Sequence, residues 1–360
     1  MNGAVHDRRM AEVYAHIYKD FYAFEARAMA AASVIIQKNL EEIGMSLEQL
    51  KTLQVLNVGT GREAMVFHQL GAKAVFHFDI SGKSVAILSK LRRTDPGFRN
   101  IHTRRLDVCD PAGLPVEGQI DFVYLNGVLH HLHDPASAVR NLAAVLSPSA
   151  KCFFRIYRSG CLGFYVTDFI RKFISYRDRQ AVVRGFKAMR AETPEAGRKL
   201  YVDLYDNFFV PVLRLYAPDA VDAYVSRSGW AACVTQAHPA YDHADTRPSG
   251  QGVSLYYERR GPALAGRRPA PFPPHIDQLH GIAYRESHIQ ATNALMSEFL
   301  ARAGRMSQQT RVKAALALYE RSQLYRLGHP VTSEQKHRGL QEVLAAALGS
   351  SRRRLEPVTS

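Results

Sequence analysis

Hydrophobic and polar positions follow two different periods through the middle of the chain. Short runs rich in Val, Ile, Phe and Tyr recur between Leu53 and about Arg260, as is typical of β-strands. Segments with helical periodicity near 62–70, 83–93 and 135–146 lie between the first five of these runs. The predicted strands are 53–58, 74–79, 101–106, 119–125, 151–157, 231–238 and 252–258.

This alternation predicts an α/β fold with a doubly wound, mainly parallel seven-stranded sheet. Strand–helix–strand connections within one sheet are right-handed crossovers, which leave the two strands parallel. The last two predicted strands are joined by a polar loop without a helical pattern. We therefore expect these two strands to pair antiparallel at one edge.

The first 50 residues are predicted to form an N-terminal helical cap. Apolar residues recur at helical spacing over residues 8–43, and Tyr14, Tyr18 and Tyr22 are four residues apart, which places them on one helix face. Two interpretations stay open: this face packs against the main domain, or it forms an aromatic lid over a ligand.

The predicted domain 51–260 contains one insertion and is followed by two further segments. Residues 161–229 are aromatic and basic and follow the fifth strand, so they are predicted as a helical lid insertion over the carboxyl ends of the strands. Residues 261–275 are predicted as a Pro/Gly/Arg linker. Residues 276–350 are predicted as a helical C-terminal extension, either an appended domain or the arm of a homodimer.

Composition narrows the class of protein. The apolar fraction is 46%, with no run of the roughly 20 apolar residues that a membrane crossing needs. The N-terminus lacks an apolar signal core, so we expect a cytoplasmic protein without a membrane partner. Four scattered cysteines without a CxxC pair predict reduced thiols and no metal site.

Net charge adds one further partner to consider. The formal charge of +14 could attract nucleic acid, although it also fits a solvated basic surface. No recognisable RNA-binding module is present, so a nucleic-acid partner is disfavoured, although the charge does not exclude it.

The first predicted strand runs into a glycine turn. Gly59 and Gly61 let the backbone turn tightly and approach a ligand closely. Asp79 ends the second strand 18 residues after Gly61, where a carboxylate can accept hydrogen bonds from ribose hydroxyls. The Gly-x-Gly motif alone leaves NAD, FAD and S-adenosylmethionine open as cofactors.

Later segments separate these cofactors. "VLNVGTGREA", "FHFDIS", "LDVCD" and "NGVLHHLHDP" stand in an order and spacing that resembles class I S-adenosylmethionine-dependent methyltransferases. The resemblance covers about residues 53–160 and extends to 260 through the last two strands. It implies an S-adenosyl-L-methionine cofactor, bound by Asn57, Gly59, Gly61, Asp79, Ile80, Asp107, Val108, Asn126 and Gly127.

The sequence departs from that family pattern at two positions. Asn57 replaces the acid that helps to anchor the α-ammonium of the cofactor: either its carbonyl still accepts a hydrogen bond, or a neutral residue stops favouring the protonated amine. Glu63 replaces the third glycine, which we expect to loosen the packing of helix on strand or to turn the carboxylate toward solvent.

The resemblance implies methyl transfer, for which the catalytic candidates are His131, Asp206 and Tyr176. His131 follows the fourth strand and could act as a general base, or could simply pack below the cofactor. Asp206 lies in the predicted lid among aromatic residues and could bind a polar substrate or mark a helix boundary. Tyr176, like Tyr165, could place its ring against a sulfonium.

Three functions therefore remain open. The first is a methyltransferase acting on a small molecule in specialised (secondary) metabolism, which the enclosing lid favours. The second is a cyclase in which the cofactor amine attacks its own γ-carbon, forming azetidine-2-carboxylate and methylthioadenosine. The third is an RNA-directed methyltransferase that uses the basic C-terminal region.

Overall fold

The computed structural model describes residues 3–20, 26–112, 114, 119–159, 162–189, 205–228, 230–232, 252–259, 271–276 and 286–324. These residues fall into two compact units. The first unit takes its described residues from Met1–Tyr157, Val210–Asp242 and Gly252–Ile276, and the second from Arg158–Phe209 and Asp277–Ser360.

A single sheet forms the centre of the first unit. Its strands are β1 (Gln54–Val58), β2 (Ala74–Asp79), β3 (Ile101–Arg105), β4 (Ile120–Asn126), β5 (Leu146–Tyr157), β6 (Trp230–Ala232) and β7 (Gly252–Arg259). They lie in the order β3-β2-β1-β4-β5-β7-β6. Six strands of five or more residues form the body of the sheet, and the three-residue β6 lies at its edge.

The pairing directions confirm the mainly parallel α/β fold. Strands β1 to β5 pair in parallel, whereas β7 pairs antiparallel with both β5 and β6. The antiparallel edge predicted from the last two strands is therefore confirmed. Central β4 buries four residues in succession, 122–125, which is the pattern of a parallel strand covered on both faces.

Helices alternate with the strands in the order that the periodicity predicts. Asp134 caps α6 by accepting a hydrogen bond from Ser137 N at 3.0 Å, and Pro135 occupies the first turn, where no backbone donor is needed. None of the described helices combines the length and the apolarity that a membrane crossing requires. The helices are α1 (Gly3–Asp20), α2 (Ala26–Glu42), α3 (Leu47–Leu50), α4 (Gly61–Gln69), α5 (Gly82–Thr94), α6 (Pro135–Val145), α7 (Leu162–Arg171), α8 (Arg179–Met189), α9 (Pro218–Arg227), α10 (Glu286–Ala303) and α11 (Gln308–Leu324).

The sheet is covered by an apolar core on each face. Because side chains alternate along a strand, Val55 of β1 packs on one face with residues of α2, α4 and α5, whereas Leu56 packs on the other with residues of α6 and α9. This two-sided covering leaves the carboxyl ends of the parallel strands as the place for a ligand.

The second unit joins two segments that are far apart in the sequence. Helices α7 and α8 come from the predicted lid insertion, and α10 and α11 from the predicted C-terminal extension. Phe169 packs edge-on against Phe299 with ring centroids 5.8 Å apart, and Gln308 Nε2 donates to Asp178 Oδ1 at 2.6 Å. The two segments therefore share one core, whereas described residues within 210–229 belong to the first unit.

The buried face of β1 gives a direct test of the first unit's core. Val55 is 0% exposed and Val34, on α2, is 68% exposed. Val55→Ala should lower the free energy of unfolding by about 2–3 kcal/mol, because it removes buried methyl groups and leaves a cavity. The matched Val34→Ala should change it by less than about 0.5 kcal/mol. Urea unfolding followed by circular dichroism measures both, and equal effects would contradict the assignment of the core.

Candidate functional site

A cavity lies at the carboxyl ends of β1, β2 and β4, within the first unit. It contains ≈ 630 Å³ of space between atoms, part of it open to solvent. The lining residues are Met10, Tyr14, Val58, Gly59, Thr60, Asp79, Ile80, Leu106, Asp107, Val108, Asn126, Gly127, Val128, His131 and Leu132.

Two glycines shape one wall of the cavity. Gly59 has φ +115 and Gly127 has φ +77, which L side chains rarely adopt. A Cβ at Gly59 would lie 2.9 Å from Val128 Cγ2, which is too close unless the Val128 side chain shifts. The backbone is therefore exposed to a ligand at the two points where the resemblance implies the cofactor's methionine end.

Asp79 stands at the end of β2 with its carboxylate held in place. Its Oδ1 accepts a hydrogen bond from Ser81 N at 2.7 Å, and the residue is buried although it lines the cavity. Ile80 lines the cavity beside it. A fixed, acceptor-only group of this kind suits the two hydroxyl donors of a ribose.

Asp107 and Val108 line the cavity beyond β3. Asp107 Oδ1 accepts from Cys109 N at 2.9 Å, and Asp107 Oδ2 lies 3.5 Å from His133 Nδ1. An acceptor at this place fits an adenine amino group. Of the nine residues implied as cofactor-binding, seven line the cavity; Asn57 and Gly61 lie behind it.

Among the residues that the structure describes, Asp107, Cys109 and His133 offer possible metal ligands within 4.8 Å of one another. Burial, followed by the nearby Asp107 carboxylate, raises the pKa of the Cys109 thiol well above its ordinary value. The thiol donates to Asp134 O at 3.2 Å instead. Metal binding needs a thiolate, so the cluster fits a hydrogen-bonded thiol, and the absence of a metal stays a prediction.

A buried hydrogen-bond chain supports the glycine turn from behind. Gly61 N donates to Ser84 Oγ at 3.2 Å, Ser84 Oγ lies 3.1 Å from His77 Nε2, and His77 Nδ1 lies 3.0 Å from Asn57 Oδ1. Since Asn57 Oδ1 can only accept, His77 carries its proton on Nδ1 and accepts from Ser84 through Nε2. Burial lowers the pKa of His77 to about 3, so the ring stays neutral.

The hydrogen bond from His77 bears on the two interpretations of Asn57. Its carbonyl accepts a hydrogen bond, as one of the two interpretations expected, but from His77 rather than from a cofactor. Asn57 is 1% exposed and does not line the cavity. Sequence reasoning missed His77, which lies between apolar residues of β2.

Glu63 does not turn toward solvent, so that expectation is wrong. It is 3% exposed, accepts a hydrogen bond from Thr60 Oγ1, and lies 3.0 Å from Arg62 Nη2 and 3.5 Å from Asn126 Nδ2. Three polar partners compensate the burial of the charge. The spacing Thr60-x-x-Glu63 was a signal for a helix start that could have located this pair.

His131 lines the cavity in a defined tautomer. Its Nδ1 lies 2.9 Å from Val212 O, an acceptor, so Nδ1 donates this hydrogen bond and the neutral form of the ring has its lone pair on Nε2. Tyr14 of α1 lies at an angle to this ring, with centroids 6.5 Å apart. Of the tyrosines predicted on the same face, Tyr14 lines the cavity, whereas the Tyr18 side chain and Tyr22 lie outside the described residues.

The other two catalytic candidates belong to the second unit. The guanidinium of Arg179 lies over the Tyr176 ring, 4.4 Å from its centroid. Asp206 precedes Asn207, whose carbonyl accepts from Arg171 Nη1 at 2.7 Å. Burial lowers the pKa of Arg171, and Asp168 and Asp206 act in the opposite direction. These contacts give both residues a local structural role, and their catalytic roles stay predictions.

One family model and several solved structures are similar to this chain. A family model described as a methyltransferase domain matches residues 56–154. No curated protein sequence matches the chain. The 1,6-didemethyltoxoflavin-N1-methyltransferase of Burkholderia thailandensis, solved with 1,6-didemethyltoxoflavin and S-adenosylhomocysteine, is 16% identical over 72% of this chain and 92% of that chain, with a TM-score of 0.43.

Two further solved structures are similar over smaller parts. A SAM-dependent methyltransferase from Aquifex aeolicus is 22% identical, covering 34% of this chain and 63% of that chain, with a TM-score of 0.29. The CurJ carbon methyltransferase is 13% identical, covering 66% and 57%, with a TM-score of 0.39. At these identities and TM-scores, none of the three bears on the substrate of this chain.

A mainly parallel sheet with a glycine turn after β1 and a cavity at its carboxyl edge defines a Rossmann-like fold. Residues 56–154 of this fold match the family model, so the chain carries a methyltransferase domain.

The neutral state of His77 has a measurable consequence for stability. Its folded-state pKa of about 3 lies below the value of 6.5 in the unfolded chain, so its contribution is complete above pH 6.5 and is lost as the pH falls toward 3. A His77→Gln variant has no such titration. Wild type should therefore lose more of its free energy of unfolding than the variant between pH 7 and about pH 4. Parallel pH profiles in urea unfolding would contradict a buried neutral histidine.

Proposed function

We propose that this protein transfers the methyl group of S-adenosylmethionine to a small molecule in the cytoplasm, as an enzyme of specialised metabolism. One observation carries the proposal: the cavity brings Gly59, Gly127 and the fixed Asp79 carboxylate together at one edge of the sheet. These are the group types that an amino-acid end and a ribose require, in the order that the methyltransferase domain implies.

In this proposal, Asp79 binds the ribose hydroxyls and Asp107 with Val108 contacts the adenine. Gly59, Asn126 and Gly127 border the methionine end, and Gly61 acts from behind through its bond to Ser84. When bound, the cofactor supplies an electrophilic methyl carbon on a sulfonium. Much of the rate then depends on how well the protein positions the acceptor atom in line with that carbon.

His131 is the proposed general base. The carbonyl of Val212 accepts a hydrogen bond from Nδ1, so Nε2 is the nitrogen that would take the proton of an oxygen or nitrogen acceptor. Its position on the cavity wall is the supporting observation. The neighbouring His130 is unsuited to this role, because burial lowers its pKa well below the ordinary value and its Nδ1 accepts from Tyr157 N at 3.1 Å.

The small-molecule assignment is supported by the cover of the cavity. Met10 and Tyr14 of α1 contribute to its wall, so apolar and aromatic side chains enclose part of the space. Enclosed, partly apolar cavities bind small ligands, whereas an RNA substrate calls for an open basic groove. The RNA-directed alternative keeps only the overall charge of +14 in its favour.

The cyclase alternative has less support than the sequence suggested. It depends on a neutral Asn57 beside the cofactor amine, but Asn57 is turned to His77, and the buried Glu63 carboxylate lies near Asn126 on the cavity wall. A nearby carboxylate favours a protonated amine, which cannot act as a nucleophile.

The ribose assignment is tested by Asp79→Asn. The amide keeps the shape of the carboxylate but can accept through one oxygen only, so one ribose hydroxyl loses its acceptor. The affinity for S-adenosylhomocysteine should fall by about 10- to 100-fold in calorimetry. The control is Asp121→Asn, because Asp121 accepts from Gln54 N at 2.9 Å at the opposite ends of β1 and β4. Unchanged affinity in Asp79→Asn would disprove the assignment.

The reaction type is tested by incubating the protein with S-adenosylmethionine alone. A methyltransferase should leave the cofactor intact, and should release S-adenosylhomocysteine only when an acceptor is added. Liquid chromatography of the nucleoside products measures this. Methylthioadenosine formed by the wild type, but not by Asp79→Asn, would instead establish the cyclase.

A further inference from the structure

The buried carboxylate of Glu63 lies directly behind the cavity wall, in the first turn of α4. It accepts from Thr60 Oγ1 and lies 3.5 Å from Asn126 Nδ2. Thr60 and Asn126 both line the cavity, beside Gly59 and Gly127. Glu63 therefore contacts both polar side chains of this part of the wall.

A carboxylate dictates the direction of these hydrogen bonds because it can only accept. The Thr60 hydroxyl must donate its proton to Glu63, and Asn126 must present its NH₂ group. Each side chain then keeps its oxygen as the group with which it can accept from a ligand. The wall beside the glycines consequently offers acceptors, which suit a ligand rich in N–H donors.

At the start of α4, the Thr60 hydroxyl bonds to Glu63 and not to the helix backbone. Thr60 is the N-cap of α4, and Thr60-x-x-Glu63 is the sequence of a capping box, but the Thr60 side chain makes no capping hydrogen bond to the helix backbone. Its hydroxyl is used on Glu63 instead. The pair therefore does not fill the structural role that its sequence suggests.

Position 57 cannot supply the same effect. The Asn57 oxygen is occupied by His77, the side chain is uncharged, and it does not line the cavity. Glu63 carries a full negative charge on the other side of the glycine turn, and Arg62, 3.0 Å away, balances it as an ion pair. The negative charge near the methionine end of the proposed cofactor site therefore lies on α4, whereas the family pattern has it at the position of Asn57 on β1.

We propose that Glu63 is a positioning residue that selects a cofactor with a protonated α-amine, acting through the oxygens of Thr60 and Asn126. The inference rests on the proposed cofactor site. It assigns to the first turn of α4 the recognition of an ammonium, a donor with three N–H groups, and it gives Asn57 no part in it.

The test compares two ligands that differ in one group. The first is S-adenosylhomocysteine, and the second is its deaminated analogue, in which hydrogen replaces the α-amine. Calorimetry gives the Kd of each for wild type, for Glu63→Gln and for Asp121→Asn, which makes the same chemical change away from the cavity. A hydrogen-bonded charge pair affects affinity by about tenfold or more, so this ratio is measurable.

The proposal expects the wild type and Asp121→Asn to prefer the amine-bearing ligand by at least about tenfold. Glu63→Gln should lose most of that preference while its Kd for the deaminated ligand changes less than about twofold, because a glutamine amide can donate and no longer fixes the two oxygens. If Glu63→Gln does not fold, Thr60→Val removes one of the two oxygens and should reduce the same ratio.

Other results are equally decisive. Equal weakening of both ligands in folded Glu63→Gln, or no preference in the wild type, would overturn the role of Glu63 but leave the cofactor site intact. Failure of the wild type to bind either ligand would overturn the proposed function itself.

Discussion

The hydrogen bond from Gly61 N to Ser84 Oγ connects the cofactor turn to the interior of the domain. Gly59 holds a backbone conformation that brings the chain against the loop after β4, and such a turn needs support from below. The support is a relay from Ser84 through His77 to the Asn57 side-chain oxygen. This relay therefore supports the glycine turn, which forms one part of the cavity wall.

Asn57 and Glu63, the two departures from the family pattern, can be explained together. With His77 buried beside position 57 on the neighbouring strand β2, an acid there would favour a protonated ring and a charged pair in the core, at a cost in desolvation. An amide satisfies the neutral histidine without that cost. The negative charge is found instead at Glu63, which is surrounded by Thr60, Arg62 and Asn126.

Much of the fold followed from local pattern. The strand–helix alternation, the antiparallel edge, and the placing of Asp79 and Gly59 at the sheet's carboxyl edge all depend on periodicity and on backbone sterics, which a sequence expresses directly. The burial of Glu63 and His77 could not be read in that way, because a titratable residue is buried only when partners from other elements meet it. The core shared by α7 and α11 could not be predicted either, because its partners come from segments far apart in the sequence.

That shared core has a consequence for how the chain is made. The sheet can be completed once β7 has left the ribosome, but α7 and α8 (up to Met189) emerge well before α10 and α11 (from Glu286 onward). Until then, Phe169 and Phe208 lack the aromatic partners that cover them in the finished protein. During synthesis, α7 and α8 therefore expose apolar surface until α10 and α11 have been made, and chaperones can bind that surface in the interval.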